Sequence, residues 1–199
     1  MNNVKELQTI EETLRYLQFD NWEQSAPGLA RSYELLGLLG DPQKKLKFVH
    51  IAGTNGKGST AAMLASVLQS AGYRTGLYTS PHLLRFHERM RVNGKEIDDT
   101  SLISLTNAVR NAAERMSEMP TGFEIMTAIA FLYFVQERCD IVSLEVGLGG
   151  RMDSTNVIPA PVVCVVANIG LEHTAILGDT VEKIAAEKPD LIKLMITGG

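Results

Sequence analysis

The sequence predicts an α/β fold, a mostly parallel sheet with helices on both faces, built around a phosphate-binding P-loop. Three observations carry this. A short β-branched run at 46–52 stops at "GTNGKGST" and resumes with helical spacing. Two later runs, "DIVSLEV" and "PVVCVVANIG", are continuously apolar, as in strands of a parallel sheet covered on both faces. Strand and helix patterns also alternate along the chain, as right-handed βαβ crossovers require.

The elements follow in order. Residues 4–18 read as a helix, with Leu7, Ile10, Leu14 and Leu17 on one face. Residues 28–39 suggest a second, ended by Gly40 and Pro42. After the strand at 46–52 and its glycine turn, Ala61, Leu64, Leu68 and Ala71 recur at helical spacing, so a helix runs to about Ser70. "YRTGLYTS" is a second strand, stopped by Pro81. "RFHERMRVNGKEI" is a loop or short hairpin turning at Asn93-Gly94. Asp98 to Met119 reads as a helix, and "FEIMTAIAFLYFVQE", apolar nearly all round, as a buried one.

With 199 residues, the chain is long enough for one domain with a core. Its net charge of −4 gives no global field to attract nucleic acid. No apolar run is long enough to span a bilayer, and the first residues are neither a signal peptide nor a presequence. Cys139 and Cys164, both in apolar surroundings, read as buried thiols of a reducing compartment. The expectation is a cytoplasmic protein without nucleic-acid or membrane partners.

The glycine turn carries the first chemistry. Gly53, Gly56 and Gly58 let the backbone turn its N–H groups inward at a helix N-terminus, where negative charge is favoured, and Lys57 adds a cation. Only two residues separate Gly53 from Gly56, and Gly58 stands where a magnesium-binding hydroxyl follows the lysine in the strict pattern. Ligands of such sheets gather at the strands' carboxyl ends. Those ends carry the turn, "TSPHL", "LEVGLGGRMDSTN" and "NIGLEHTAILG". Glu145 there suits a magnesium ion, or caps a helix, or pairs with Arg151. Ser80 supplies a hydroxyl where Gly58 cannot. His173 is either a metal or phosphate group or a structural histidine. His82 and His87 read as loop structure and His50 as a strand residue. Gly147, Gly149 and Gly150 point to a loop that packs closely or moves over a ligand.

"HIAGTNGKGST", "YTSPHLLRFHERMRVNG", "FEIMTAIAF", "LEVGLGGRMDSTN" and "NIGLEHTAILGDTVEKIAAEK" together closely resemble the folylpolyglutamate synthase/dihydrofolate synthase family, relatives of the Mur ligases. The resemblance runs from near residue 1 to Lys188. It implies a Mur ligase central-domain-like fold and an ATP-dependent amide ligase. In that chemistry the carboxylate of folate or dihydropteroate attacks the γ-phosphate of ATP, and L-glutamate displaces phosphate from the acyl phosphate. It implies that Asn55, Gly56, Lys57, Gly58 and Ser59 hold the nucleotide. Ser80, Glu145 and His173 match the family's Mg²⁺ ligands. Thr121, Gly122, Phe123 and Glu124 match its pterin-binding segment, with Gly122 where the family usually has a larger residue. Met152, Asp153 and Ser154 match the substrate-facing part of its mobile loop. Lys188 matches a lysine that the family carbamylates.

After Lys188 the chain departs from the family pattern, reading "PDLIKLMITGG", and Pro189 disfavours a helical Lys188. The expectation is therefore a single, incomplete N-terminal ATP-binding domain over 1–199, truncated at its C-terminal end, without the family's glutamate-ligase domain. Such a fragment is expected to be inactive in ligation, to leave Lys188 unmodified, and to self-associate through the truncated sheet edge. The alternative is a non-catalytic nucleotide-binding module.

Overall fold

The computed structural model describes residues 6–18, 28–171 and 179–186. Six strands form one sheet: β1 (Phe48–Ala52), β2 (Thr75–Tyr78), β3 (Met90–Val92), β4 (Lys95–Glu96), β5 (Ile141–Glu145) and β6 (Val163–Val166). Their order is β4-β3-β2-β5-β1-β6. β1, β2, β5 and β6 are parallel, while β3 and β4 join antiparallel at the β2 side. β5 lies between β2 and β1, and its Val142, Ser143 and Leu144 are fully buried. This accounts for its unbroken apolar pattern.

The helices are α1 (Ile10–Leu17), α2 (Ala30–Leu38), α3 (Lys57–Ser70), α4 (Asp99–Ala113), α5 (Gly122–Gln136) and α6 (Val181–Ala186). Strand residues alternate between the sheet's two faces. Val49, Ile51 and Leu77 point to α3, where they meet Ala61, Leu64 and Leu68. Phe48, Tyr78, Val142 and Leu144 point to the opposite face and join the larger core built by α1, α2, α4 and α5. Helix α5 lies closest to the sheet. A Cβ on Gly76 would stand 2.8 Å from the Phe134 ring, so β2 needs glycine there for the helix to approach. Both faces are thus covered, and the predicted fold class is the observed one.

Four expectations change in detail. Helix α1 begins at Ile10, because the Thr9 hydroxyl accepts the Glu12 N–H and caps it there. Helix α4 ends at Ala113; Pro120 lies beyond, and Glu118 is drawn into an ion pair with Arg31 at 2.8 Å. β6 is an edge strand among the described residues, with Val163 49% and Val166 43% exposed, not a strand covered on both faces. Its Cys164 is accordingly half-buried, while Cys139 is buried; neither is in a disulfide. No helix among the described residues is long and apolar enough to cross a membrane.

Candidate functional site

The register of the sheet assembles the site. Ile51 lies beside Glu145, and Tyr78 beside Leu144. The turn after β1, the Ser80 segment after β2 and the end of β5 therefore meet at one edge. The turn depends on its glycines. Gly56 has φ 80° and opens α3 without a side-chain cap. Gly53 has φ 148°, and a Cβ on it would sit 3.1 Å from the Asn168 carbonyl oxygen. The loop after β6 supports the turn from the other side. Thr54 N–H donates to the Asn168 carbonyl at 2.8 Å, and the Thr54 hydroxyl exchanges hydrogen bonds with Gly170 N–H and C=O, both at 3.0 Å. Asn55 N–H donates to the Asn168 side-chain oxygen at 3.0 Å. Lys57 Nζ donates to the Thr54 carbonyl at 2.9 Å. Asn55, Gly56 and Ser59 are exposed.

Glu145 closes the other side of this turn. It is buried, and its carboxylate accepts the Ser80 N–H at 3.0 Å and the Gly58 N–H. A Cβ at Gly58 would stand 3.3 Å from that carboxylate. This explains the departure from the strict cradle pattern: the carboxylate takes the space in which a serine or threonine side chain would lie. Burial pushes the Glu145 pKa up, and the Ser80 and Gly58 N–H groups and the Lys57 charge only partly oppose it. Of the alternatives for Glu145, hydrogen bonding to the turn and to Ser80 is what the geometry contains.

Thr121, Gly122, Phe123 and Glu124 sit at the N-terminus of α5, at the same edge. Thr121 caps α5, accepting Glu124 N–H at 3.2 Å, and Glu124 returns a bond from Thr121 N–H at 2.7 Å. The Glu124 carboxylate also accepts from Arg31 Nε at 3.1 Å and from the Ser32 hydroxyl at 3.2 Å. Glu124 is thus directed at α2. Phe123 lies over the backbone of Gly147, where a Cβ would come within 2.4 Å of its ring. This contact joins the start of α5 to the loop after β5. Gly122 and Phe123 also line a cavity of about 250 Å³ with Leu17, His82, Phe86 and Met126.

Within the glycine-rich loop, Met152 is exposed, whereas Asp153 and Ser154 are buried. Burial raises the Asp153 pKa, opposed first by the Thr155 hydroxyl and then by backbone N–H groups, Leu148 among them at 2.7 Å. The Thr155 hydroxyl gives its only proton to Asp153, so His50 Nε2 donates to Thr155 at 2.8 Å. His50 is therefore the structural strand residue expected, and it ties β1 to this loop. His82 accepts from Arg89 Nε at 2.9 Å, and His87 pairs with Asp99 at 2.8 Å. His173 and Lys188 lie outside the described residues. Among the described residues, no three His, Cys, Asp or Glu side chains gather as a metal-binding group.

The sequence reading did not single out Asn168, Arg31 or Arg89. Asn168 carries no spacing signal, since its role depends on β6 lying beside β1. The Thr121-x-x-Glu124 spacing is a capping-box signal and could have assigned Thr121 and Glu124 their structural bonds.

Residues 51–199 match the family model of the Mur ligase middle domain. A dihydrofolate synthase/folylpolyglutamate synthase of Bacillus subtilis is 49% identical over 172 residues, which make up 84% of this chain and 40% of that protein. A folylpolyglutamate synthase of Lacticaseibacillus casei is 40% identical over 191 residues, covering 90% of this chain and 44% of that protein. Among solved structures, E. coli FolC in complex with DHPP and ADP superposes with a TM-score of 0.87 at 37% identity, covering 94% of this chain and 45% of that one. An FPGS-AMPPCP-folate complex gives 0.89 at 40% identity, with 94% and 46% covered. The chain spans less than half the length of these relatives. It belongs to the Mur ligase middle-domain family and, within it, to the folylpolyglutamate synthase/dihydrofolate synthase group.

Proposed function

We propose that this chain is the nucleotide-binding part of an ATP-dependent amide ligase that joins L-glutamate to folate or dihydropteroate. The observation that carries the reading is the start of α3: an uncapped N-terminus opened by Gly56 in the left-handed region, with Lys57 in its first turn. Solved relatives in complex with ADP or AMPPCP, and with DHPP or folate, support it. In this reading the N–H groups of Gly56 and Lys57 and the Lys57 ammonium hold the phosphates, joined by the N–H groups of Asn55 and Gly58 once these leave Asn168 and Glu145, with Ser59 beside them. Lys57 exchanges its bond to the Thr54 carbonyl for one to phosphate.

The reaction divides into two displacements. An acceptor carboxylate oxygen attacks the γ-phosphorus, the bond to the β-phosphate oxygen breaks, and ADP leaves. The glutamate amine then attacks the acyl carbon of the resulting acyl phosphate, loses a proton, and inorganic phosphate leaves. Such chemistry depends on positioning and charge neutralisation. Phe123, Gly122 and Thr121, with Met152, Asp153 and Ser154 across the loop, would orient the acceptor. Glu124 acts there by fixing α5 against α2.

The residues present fit a magnesium ion. Glu145 is a buried carboxylate with a raised pKa, and Ser80 bonds to it through its N–H. Mg²⁺ keeps several waters and needs only one or two carboxylates beside phosphate oxygens. Glu145 and Ser80 would hold it, together with His173, and it would neutralise charge on the transferring phosphate. Lys188, as a carbamate, would supply a further anionic group, though Pro189 argues for an unmodified lysine in this chain.

Calorimetric titration with MgATP tests the reading. Lys57→Ala should lose a charge-assisted hydrogen bond of about 1.5–3 kcal/mol, roughly a 10- to 150-fold loss of affinity. Equal affinity in a folded variant would remove the phosphate assignment. Glu145→Ala should abolish the dependence of nucleotide affinity on Mg²⁺; a retained dependence would place the metal elsewhere.

A further inference from the structure

Arg89 has a place in the site that the assigned motifs do not cover. It directly precedes β3, and its carbonyl accepts the Thr79 N–H at 3.1 Å, one residue before Ser80. Its side chain lines the cavity of about 250 Å³ beside Gly122, with Leu17, Phe86, Phe123, Met126 and His82 as neighbours. Two contacts fix the guanidinium: Nε donates to His82 Nδ1 at 2.9 Å, and the group lies 5.5 Å from the centre of the Phe86 ring. An arginine nitrogen is always a donor, so His82 Nδ1 accepts and the neutral ring carries its proton on Nε2. Both side chains therefore offer donors.

The charge of Arg89 has no carboxylate partner among the described residues. Arg31, Arg74, Arg91 and Arg110 each have a glutamate within ion-pair distance. A half-buried guanidinium held at Nε and over a ring, with no carboxylate partner among the described residues, is prepared for two parallel hydrogen bonds to a carboxylate. The walls beside it are mostly aromatic and aliphatic, with Gln18 and His82 as the polar groups, so the body that brings the carboxylate is flat and largely apolar.

We propose that Arg89 is a specificity-determining residue that reads the carboxylate of an aryl carboxylate bound between residues 82–89 and α5. The inference rests on the acceptor reading above and names the group that recognises the acceptor's charge.

Calorimetry on this chain with pteroate and its neutral carboxamide separates the outcomes. The wild type should prefer pteroate by about tenfold or more. Arg89→Met keeps an apolar stem over Phe86 and should bring that ratio to about one, with the larger loss falling on pteroate. Arg89→Lys should retain part of the preference, and it carries the same comparison if the methionine variant does not fold. No preference in the wild type, or an unchanged ratio in both variants, overturns the proposal and leaves the acceptor reading standing. A second arm uses 4-aminobenzoate against 4-aminobenzamide. An Arg89-dependent preference there without pteroate binding keeps the carboxylate site and removes the acceptor reading. Binding of none of the four removes both.

Discussion

Helices α3 and α5 begin at the same carboxyl edge of the sheet, and they begin differently. α5 starts with a complete capping box, and its Glu124 is further held by Arg31 and Ser32. α3 starts at a left-handed glycine with no capping side chain of its own and no acid in its first turn, and of its first N–H groups Gly58 alone meets a carboxylate, that of Glu145. A capping side chain and an anionic ligand compete for the same free N–H groups of a helix start. The chain thus uses one start as a joint between helices and leaves the other for a ligand. Mutations should separate the two: changes at α5 should cost stability, and changes at α3 should cost binding.

The largest expected effect is at the joint. Arg31 and Glu124 are both nearly enclosed, with side chains 10% and 3% exposed. Arg31→Met would leave a buried carboxylate with only Thr121 N–H and the Ser32 hydroxyl. Breaking a buried pair from one side costs roughly 3 kcal/mol, the low end of the usual range given those remaining donors. For a domain of this size that is a fall of roughly 6–12 °C in melting temperature. MgATP affinity, measured alongside, should hold. An unchanged melting temperature with weakened nucleotide binding would reverse the contrast.

Gly147→Ala should come next. Its Cβ would press into the Phe123 ring, and overpacking of this kind costs about 1–3 kcal/mol. Because the cost lies in one contact, Phe123→Leu in the same chain should recover much of it. A double-mutant cycle by thermal unfolding measures that coupling, and simple additivity would mean the two residues do not constrain each other. At the other start, Lys57→Ala should leave stability within about 0.5 kcal/mol, since the side chain is half-exposed and makes one bond to its own loop.

How much of this was legible depends on whether the cause is local. The β1-turn-α3 unit is written in a change of hydrophobic period, and the β3–β4 hairpin in Asn93-Gly94. α5 reads correctly because its apolar residues encircle it. The exposed faces of β6 were not legible, because an unbroken apolar run does not say how many neighbours its strand has. The ion pair of Glu118, beyond the end of α4, is with Arg31, more than eighty residues away. The same holds for the site. Lys57 and Glu145 are visible from motif and strand position. Asn168, Arg31 and Arg89 acquire their roles only when the sheet order brings distant segments together.

The smallest predicted effect concerns pH and sharpens the comparison at the loop after β2. Leu83 and Leu84 are each 91% exposed, so packing does little to hold their backbone. The Glu88 carboxylate does: it accepts the N–H groups of Leu83 at 2.9 Å and of Leu84 and Arg85 at 3.0 Å. These bonds, Leu83 foremost, hold the Glu88 pKa below its ordinary value, with the Arg91 charge assisting and desolvation opposing. An acid with a depressed folded pKa stabilises the fold above its unfolded value, about 4.3, and that contribution disappears as pH falls through the folded value. Glu145 has the opposite sign: its pKa is raised by burial, so acid relieves the cost of its charge. Lowering the pH from 6 to 3 should therefore release Leu83 to Arg85 before the turn at Gly56. Hydrogen exchange of those amides, corrected for intrinsic rates, should show protection falling only at pH values below the ordinary glutamate range. Glu88→Gln should already show that loss at pH 6, with little change in the melting temperature. Protection that stays level across the whole range would mean that something other than this carboxylate shapes the loop leading to His82 and Arg89.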